Sequence, residues 1–65
     1  MSVVRIAEYV VSSSESWEDA VKKGFEEITK KLKNIRGIDV IGFKAVVREG
    51  KITEYRVNLK VSYLE

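Results

Sequence analysis

The chain of 65 residues contains no cysteine, no histidine and no proline. Without cysteine there is no disulfide to staple a small core and no thiolate nucleophile. Without histidine or cysteine, a zinc site of the ordinary kind and imidazole base catalysis are both excluded. Long apolar runs are missing as well, so no membrane span is expected. Arg5 and Glu8 interrupt the first apolar residues, which is not the pattern of a signal peptide. Charge of one sign is also scarce. Twelve basic residues stand against 10 acidic ones, for a net charge of +2. The basic residues form no cluster, so nucleic acid is not an expected partner. The absence of cysteine fits a cytoplasmic location.

What the chain does have is apolar content, 45% of its residues. A single domain spanning 1–65 is expected at this length. Such a domain buries only about 60% of the surface its unfolded chain exposes. With no disulfide or zinc available, self-association is the remaining source of extra buried surface.

Ser16 to Leu32 has a helical period. Trp17, Ala20, Val21, Phe25, Ile28 and Leu32 recur in steps of three and four, forming one apolar stripe. Ser16 is suited to cap the N-terminus, with Asp19 at the position usually held by Glu or Gln in a capping box. Glu18 and Asp19 place negative charge at the start, while Lys30, Lys31 and Lys33 place positive charge near the end. Glu18–Lys22, Asp19–Lys23, Glu26–Lys30 and Glu27–Lys31 are acid-before-base pairs four residues apart, as on a solvated helix surface. Gly24 interrupts the stripe and gives room to a close neighbour or to a subunit contact. Gly37 is expected just past the helix, after a turn at Asn34 to Arg36.

Strand patterns flank the helix. Val3 to Val11 is rich in Val, Ile and Tyr, with apolar residues on both faces. Ser12-Ser13-Ser14-Glu15 reads as polar loop. Ile38 to Arg48 is the second strand, and strict alternation puts Asp39, Ile41, Phe43, Ala45 and Val47 on its core face. Gly42 marks a bulge or a close backbone approach. Glu49-Gly50 makes a tight turn. Lys51 to Leu64 alternates most clearly, with Thr53, Tyr55, Val57, Leu59, Val61 and Tyr63 on one side. The fold class is therefore α+β. The order is β-α-β-β, and a three-stranded antiparallel sheet of order 1-3-2 lies against one helix.

Catalytic residues are not found. Glu8, Asp39 and Glu54 form no acid/base dyad, and the serines lack an activating partner. An enzyme is not expected. Arg56, flanked by Glu54 and Asn58, lines an interface pocket or forms an ion pair.

The segment Ser14-x-Ser16-Trp17-Glu18-Asp19-Ala20-Val21 resembles the helix-opening motif of the dodecin family. The resemblance continues through Leu32, Asn34, Ile35 and Arg36, then Gly50-Lys51-Ile52, Glu54-Tyr55-Arg56-Val57 and Leu59-Lys60-Val61-Ser62-Tyr63. It implies a sheet partly wrapped around its helix and a homododecamer forming a hollow shell. It also implies non-catalytic storage of riboflavin, FMN or FAD between subunits. The cofactor-binding positions it implies are Gly37, Lys44 and Arg56. They match, in order, the family's ring-stacking tryptophan, its second-strand arginine and its central-strand glutamine, so the tryptophan is read as replaced by Gly37. The alternative is a dodecin-like shell without flavin that holds another anionic ligand or a metal ion, or has a structural role. Acidic side chains repeated at symmetry axes suit a divalent cation, but no single-chain ligand cluster identifies them.

Overall fold

The computed structural model describes residues 3–65. Its elements are β1 (Val4–Ser13), α1 (Trp17–Ile28), β2 (Ile35–Arg48) and β3 (Lys51–Leu64). The strands form one antiparallel sheet in the order β1-β3-β2, as the sequence predicts. No helix among the described residues is long and apolar enough to cross a membrane.

The helix begins where its cap dictates. The backbone N–H of Asp19 donates to the Ser16 hydroxyl at 3.0 Å, satisfying one orphan donor of the first turn. The Asp19 carboxylate accepts from the Ser13 hydroxyl at 2.6 Å, which ties the helix start to the end of β1. Ser12 and Ser13 thus belong to the strand rather than to a loop. The helix ends earlier than the apolar period suggests. After Ile28 the chain makes a tight turn, with the Lys31 and Leu32 N–H groups both donating to the Ile28 carbonyl. Lys30, Lys31 and Lys33 therefore lie beyond the helix. Glu18–Lys22 and Asp19–Lys23 form as predicted, whereas Glu27 pairs with Lys30 instead of Lys31.

The turn into β2 is made by Asn34 in the left-handed region, φ 58°. Gly37 consequently lies inside β2, opposite Ser62, and does not follow the helix end. The β2–β3 hairpin closes with Glu49 and Gly50 both at positive φ, 51° and 74°, the arrangement that matches strand twist in a two-residue turn.

The core is Val11 from β1, Ala20 and Ile28 from α1, and Val57, Leu59 and Val61 from β3. Tyr9, Val21, Leu32, Ile35 and Ile38 pack around it. Gly24 explains how closely helix and strand meet. A Cβ there would fall 2.2 Å from Val11 Cγ1, so only glycine lets α1 lie this near β1. The helix packs chiefly on β1 and β3. A 12-residue helix spans about 18 Å, whereas the molecule extends 51 × 19 × 14 Å along the hairpin. Much of β2 is left uncovered.

Strict alternation fails in β2. The register against β3 shifts between Val40 and Gly42, so Ile41 is the extra residue of a bulge. Before the bulge, Ile38 and Val40 face the helix side opposite Val61 and Leu59, while Asp39 lies on the other face opposite Lys60. Phe43 and Ala45 face the helix side beyond it. One inserted residue reverses the face of everything on one side of it.

Candidate functional site

The sheet face away from the helix carries the candidate residues. On β3 it presents Glu54, Arg56, Asn58, Lys60 and Ser62, alternating with the buried Val57, Leu59 and Val61. Register extends this face to Ile6, Glu8, Val10 and Ser12 on β1 and to Gly37, Asp39, Gly42, Lys44 and Val46 on β2.

Lys44 is paired directly across from Arg56, and Ser12 flanks Arg56 on its other side. The three form one transverse row, Ser12–Arg56–Lys44. Two cations opposite each other on a sheet repel. Glu54 offsets part of that: its Oε1 accepts from Arg56 Nε at 2.9 Å. The bond to Arg56 is the largest effect on Glu54 and holds its carboxyl below the usual range, against partial desolvation; the Ser12 hydroxyl adds a smaller lowering. The same bond raises Arg56 further. Lys44 is in none of the ion pairs among the described residues. The row therefore offers an ammonium and the outer nitrogens of a guanidinium side by side, an arrangement fitted to an anion.

Gly37 is on the same face but not near this row. Its partner Ser62 is six residues along β3 from Arg56, a separation of about 20 Å at strand spacing. The Ser62 hydroxyl donates to the Gly37 carbonyl at 3.3 Å. One protomer thus brings Lys44 and Arg56 together and leaves Gly37 at the far end of the sheet. Ser12 escapes a sequence reading because three consecutive serines look like loop. Glu54 was visible as a neighbour of Arg56, and the structure selects the ion pair for it.

Behind the row, on the helix side, is an aromatic cluster. The Trp17 ring meets Phe43 edge-on at 5.8 Å between centroids and Tyr55 at 5.0 Å. The Trp17 indole N–H donates to the Lys44 carbonyl at 3.1 Å. Two clefts of about 240 and 160 Å³ lie elsewhere. The larger is between α1 and β1, around Gly24 and Ile28, and the smaller is around Glu8, Val10 and Ile41. No group of three or more acidic, histidine or cysteine side chains capable of holding a metal occurs among the described residues.

A strand–helix–hairpin chain with its helix held on one sheet face and the opposite face open defines a class of small two-layer α+β proteins. The family model described as dodecin matches residues 3–65, and the chain belongs to the dodecin family. Dodecins are small, non-catalytic and self-associating, and the family binds flavins, with calcium in some members. No curated protein matches the chain. Among solved structures, it is similar to dodecin from Streptomyces davaonensis, with 22% identity, TM-score 0.92, and 98% of this chain and 94% of that one covered. A variant of the Thermus thermophilus dodecin gives 25% identity and a TM-score of 0.91, covering 100% of this chain and 97% of that one. A calcium-chelating antigen of Mycobacterium tuberculosis, calcium dodecin, gives 32% identity and a TM-score of 0.84, covering 95% and 89%.

One element of the resemblance is corrected. The sequence reading took the family's tryptophan to be replaced by Gly37. The chain has a tryptophan, Trp17, and the replacement does not stand. Trp17 belongs to the apolar stripe of the helix, and its indole enters from the first helical turn.

Proposed function

We propose that the protein binds and stores flavin without turning it over, as a homododecameric hollow shell with the ligand held between subunits. The observation that carries this reading is the cross-strand pair Lys44–Arg56 on the open sheet face. Like charges placed opposite each other are stabilised by an anion, and a phosphorylated flavin such as FMN supplies one together with a flat apolar ring. Family membership supports the ring, and apolar side chains left exposed on the protomer, Ile6, Val10, Phe43 and Val47 among them, support the assembly. Lys44 and Arg56 act from one protomer, and Gly37, about 20 Å away along the strand, acts from another.

The test is the mass of the purified protein in solution and a titration of riboflavin and FMN followed by flavin fluorescence. A monomer would remove the shell reading. Unchanged flavin fluorescence over a broad range of protein concentration would remove the flavin reading. Lys44→Met and Arg56→Met are expected to weaken FMN more than riboflavin.

The name of the Mycobacterium tuberculosis relative favours a second reading, a shell that holds a divalent cation. With no ligand cluster in the described part of one protomer, carboxylates from several subunits would have to converge. Calcium titration by calorimetry on the flavin-free protein separates the two readings.

A further inference from the structure

Trp17 meets the strands from the helix side beside both cations, at Lys44 itself and at the residue before Arg56. Its indole N–H is bonded to the carbonyl of Lys44 at 3.1 Å. Its ring packs edge-on against Phe43 and Tyr55, the residues immediately before Lys44 and Arg56. The segment it grips needs holding. β2 is an edge strand of the protomer sheet, and its register against β3 shifts at Val40/Gly42 and again at Val46/Val47. Gly42 to Val46 is therefore a short paired stretch between two irregularities, on the strand that α1 covers least. A bulge leaves a residue unpaired and bends the strand locally, so pairing alone constrains this stretch weakly. The helix supplies the missing constraint through one side chain, and Ser16 capping fixes where that side chain starts.

We propose that Trp17 is a positioning residue for the anion-binding row. It acts through the Lys44 backbone and the Phe43 and Tyr55 rings, from the face opposite the ligand, and touches no ligand itself. The consequence for flavin binding rests on the reading above, whereas the constraint on β2 does not.

Trp17→Phe keeps a ring at the site and removes the N–H donor. Loss of one such bond is expected to weaken FMN binding about 2- to 10-fold. A double-mutant cycle with Lys44→Met separates positioning from general support. Trp17→Phe should have little further effect once Lys44 is Met. An equal loss in both backgrounds, or none in either, would overturn the proposal. A second measurement needs no ligand. Amide hydrogen exchange at Phe43 to Val46 should quicken in Trp17→Phe, while exchange in the β1–β3 pairing stays as it was; unchanged exchange at Phe43 to Val46 would overturn the constraint itself. If the parent protein does not bind FMN but exchange responds as expected, the flavin reading fails and the positioning of the row stands.

Discussion

The two faces of β3 differ sharply in burial and in charge. Val57, Leu59 and Val61 are at most 1% exposed, sealed between helix and sheet. Arg56, Asn58 and Lys60, one residue away in each case, look outward across the open face. The first face stabilises the protomer by removing apolar surface from water. The second contributes little to that and instead collects charge: the Lys44–Arg56 pair, in which Glu54 partners only Arg56, and Lys60, which lies 3.9 Å from Glu8. A strand of period two can thus carry the core on one side and a binding surface on the other, each free to change without disturbing its neighbour.

The sharpest way to break this comparison is substitution at adjacent positions. Leu59→Ala should cost about 2–5 kcal/mol, as buried leucines do, whereas Asn58→Ala should stay within about 0.5 kcal/mol. Chemical denaturation of both variants checks this, and similar losses would mean that the open face is part of the folding core. Gly24→Ala probes the seal itself. The helix-propensity gain of about 1 kcal/mol is opposed by a Cβ placed inside Val11, and overpacking of this kind costs about 1–3 kcal/mol. Net destabilisation is expected, with recovery when Val11→Ala is added. A rise in thermal midpoint for Gly24→Ala alone would show that helix and strand are not in this contact. Ser16→Ala should remove about 1 kcal/mol, and Ser16→Asp should retain most of it, because a carboxylate also accepts from the Asp19 N–H.

The smallest effect is the pH dependence of the open face. Glu54 is held below its ordinary range in the folded protein, first by its hydrogen bond to Arg56. A depressed carboxylate contributes stability that is fully present above its ordinary value and is lost as pH falls through the lowered folded value. Asp19 behaves in the same sense at the helix start, first through the Ser13 hydroxyl and then through Lys23. Acid unfolding curves should therefore show each contribution disappearing below the ordinary carboxylate range. Glu54→Gln should flatten the part belonging to the open face and leave that of Asp19. Because Glu54 and Arg56 are half-buried rather than sealed from water, added salt should still shrink the Glu54 contribution.

Legibility followed the strength of the local signal. Ser16 was readable because a hydroxyl before an apolar period has one favourable use. β3 was readable because its alternation runs unbroken from Glu54 to Tyr63. Arg56 was singled out by its place between Glu54 and Asn58 and Lys44 by resemblance, but their direct pairing depends on register, which the irregularities between β2 and β3 reset. The helix end was misplaced because Leu32 continues the apolar period even though the chain leaves the helix after Ile28. Leu32 still packs against the core from the turn, so burial selected the residue without requiring it to be helical.

By itself, the sequence determined the element order, the cap, the hairpin turn and the central place of β3. All of these rest on interactions between near neighbours or on a period that one strand carries alone. Which face of β2 meets the helix, the placing of Lys44 directly across from Arg56, and the reach of Trp17 to the Lys44 carbonyl from 27 residues away were set by tertiary packing alone. A bulge changes face by one inserted residue, and a contact between distant residues exists only once both elements are packed. Neither leaves a periodic trace in the chain.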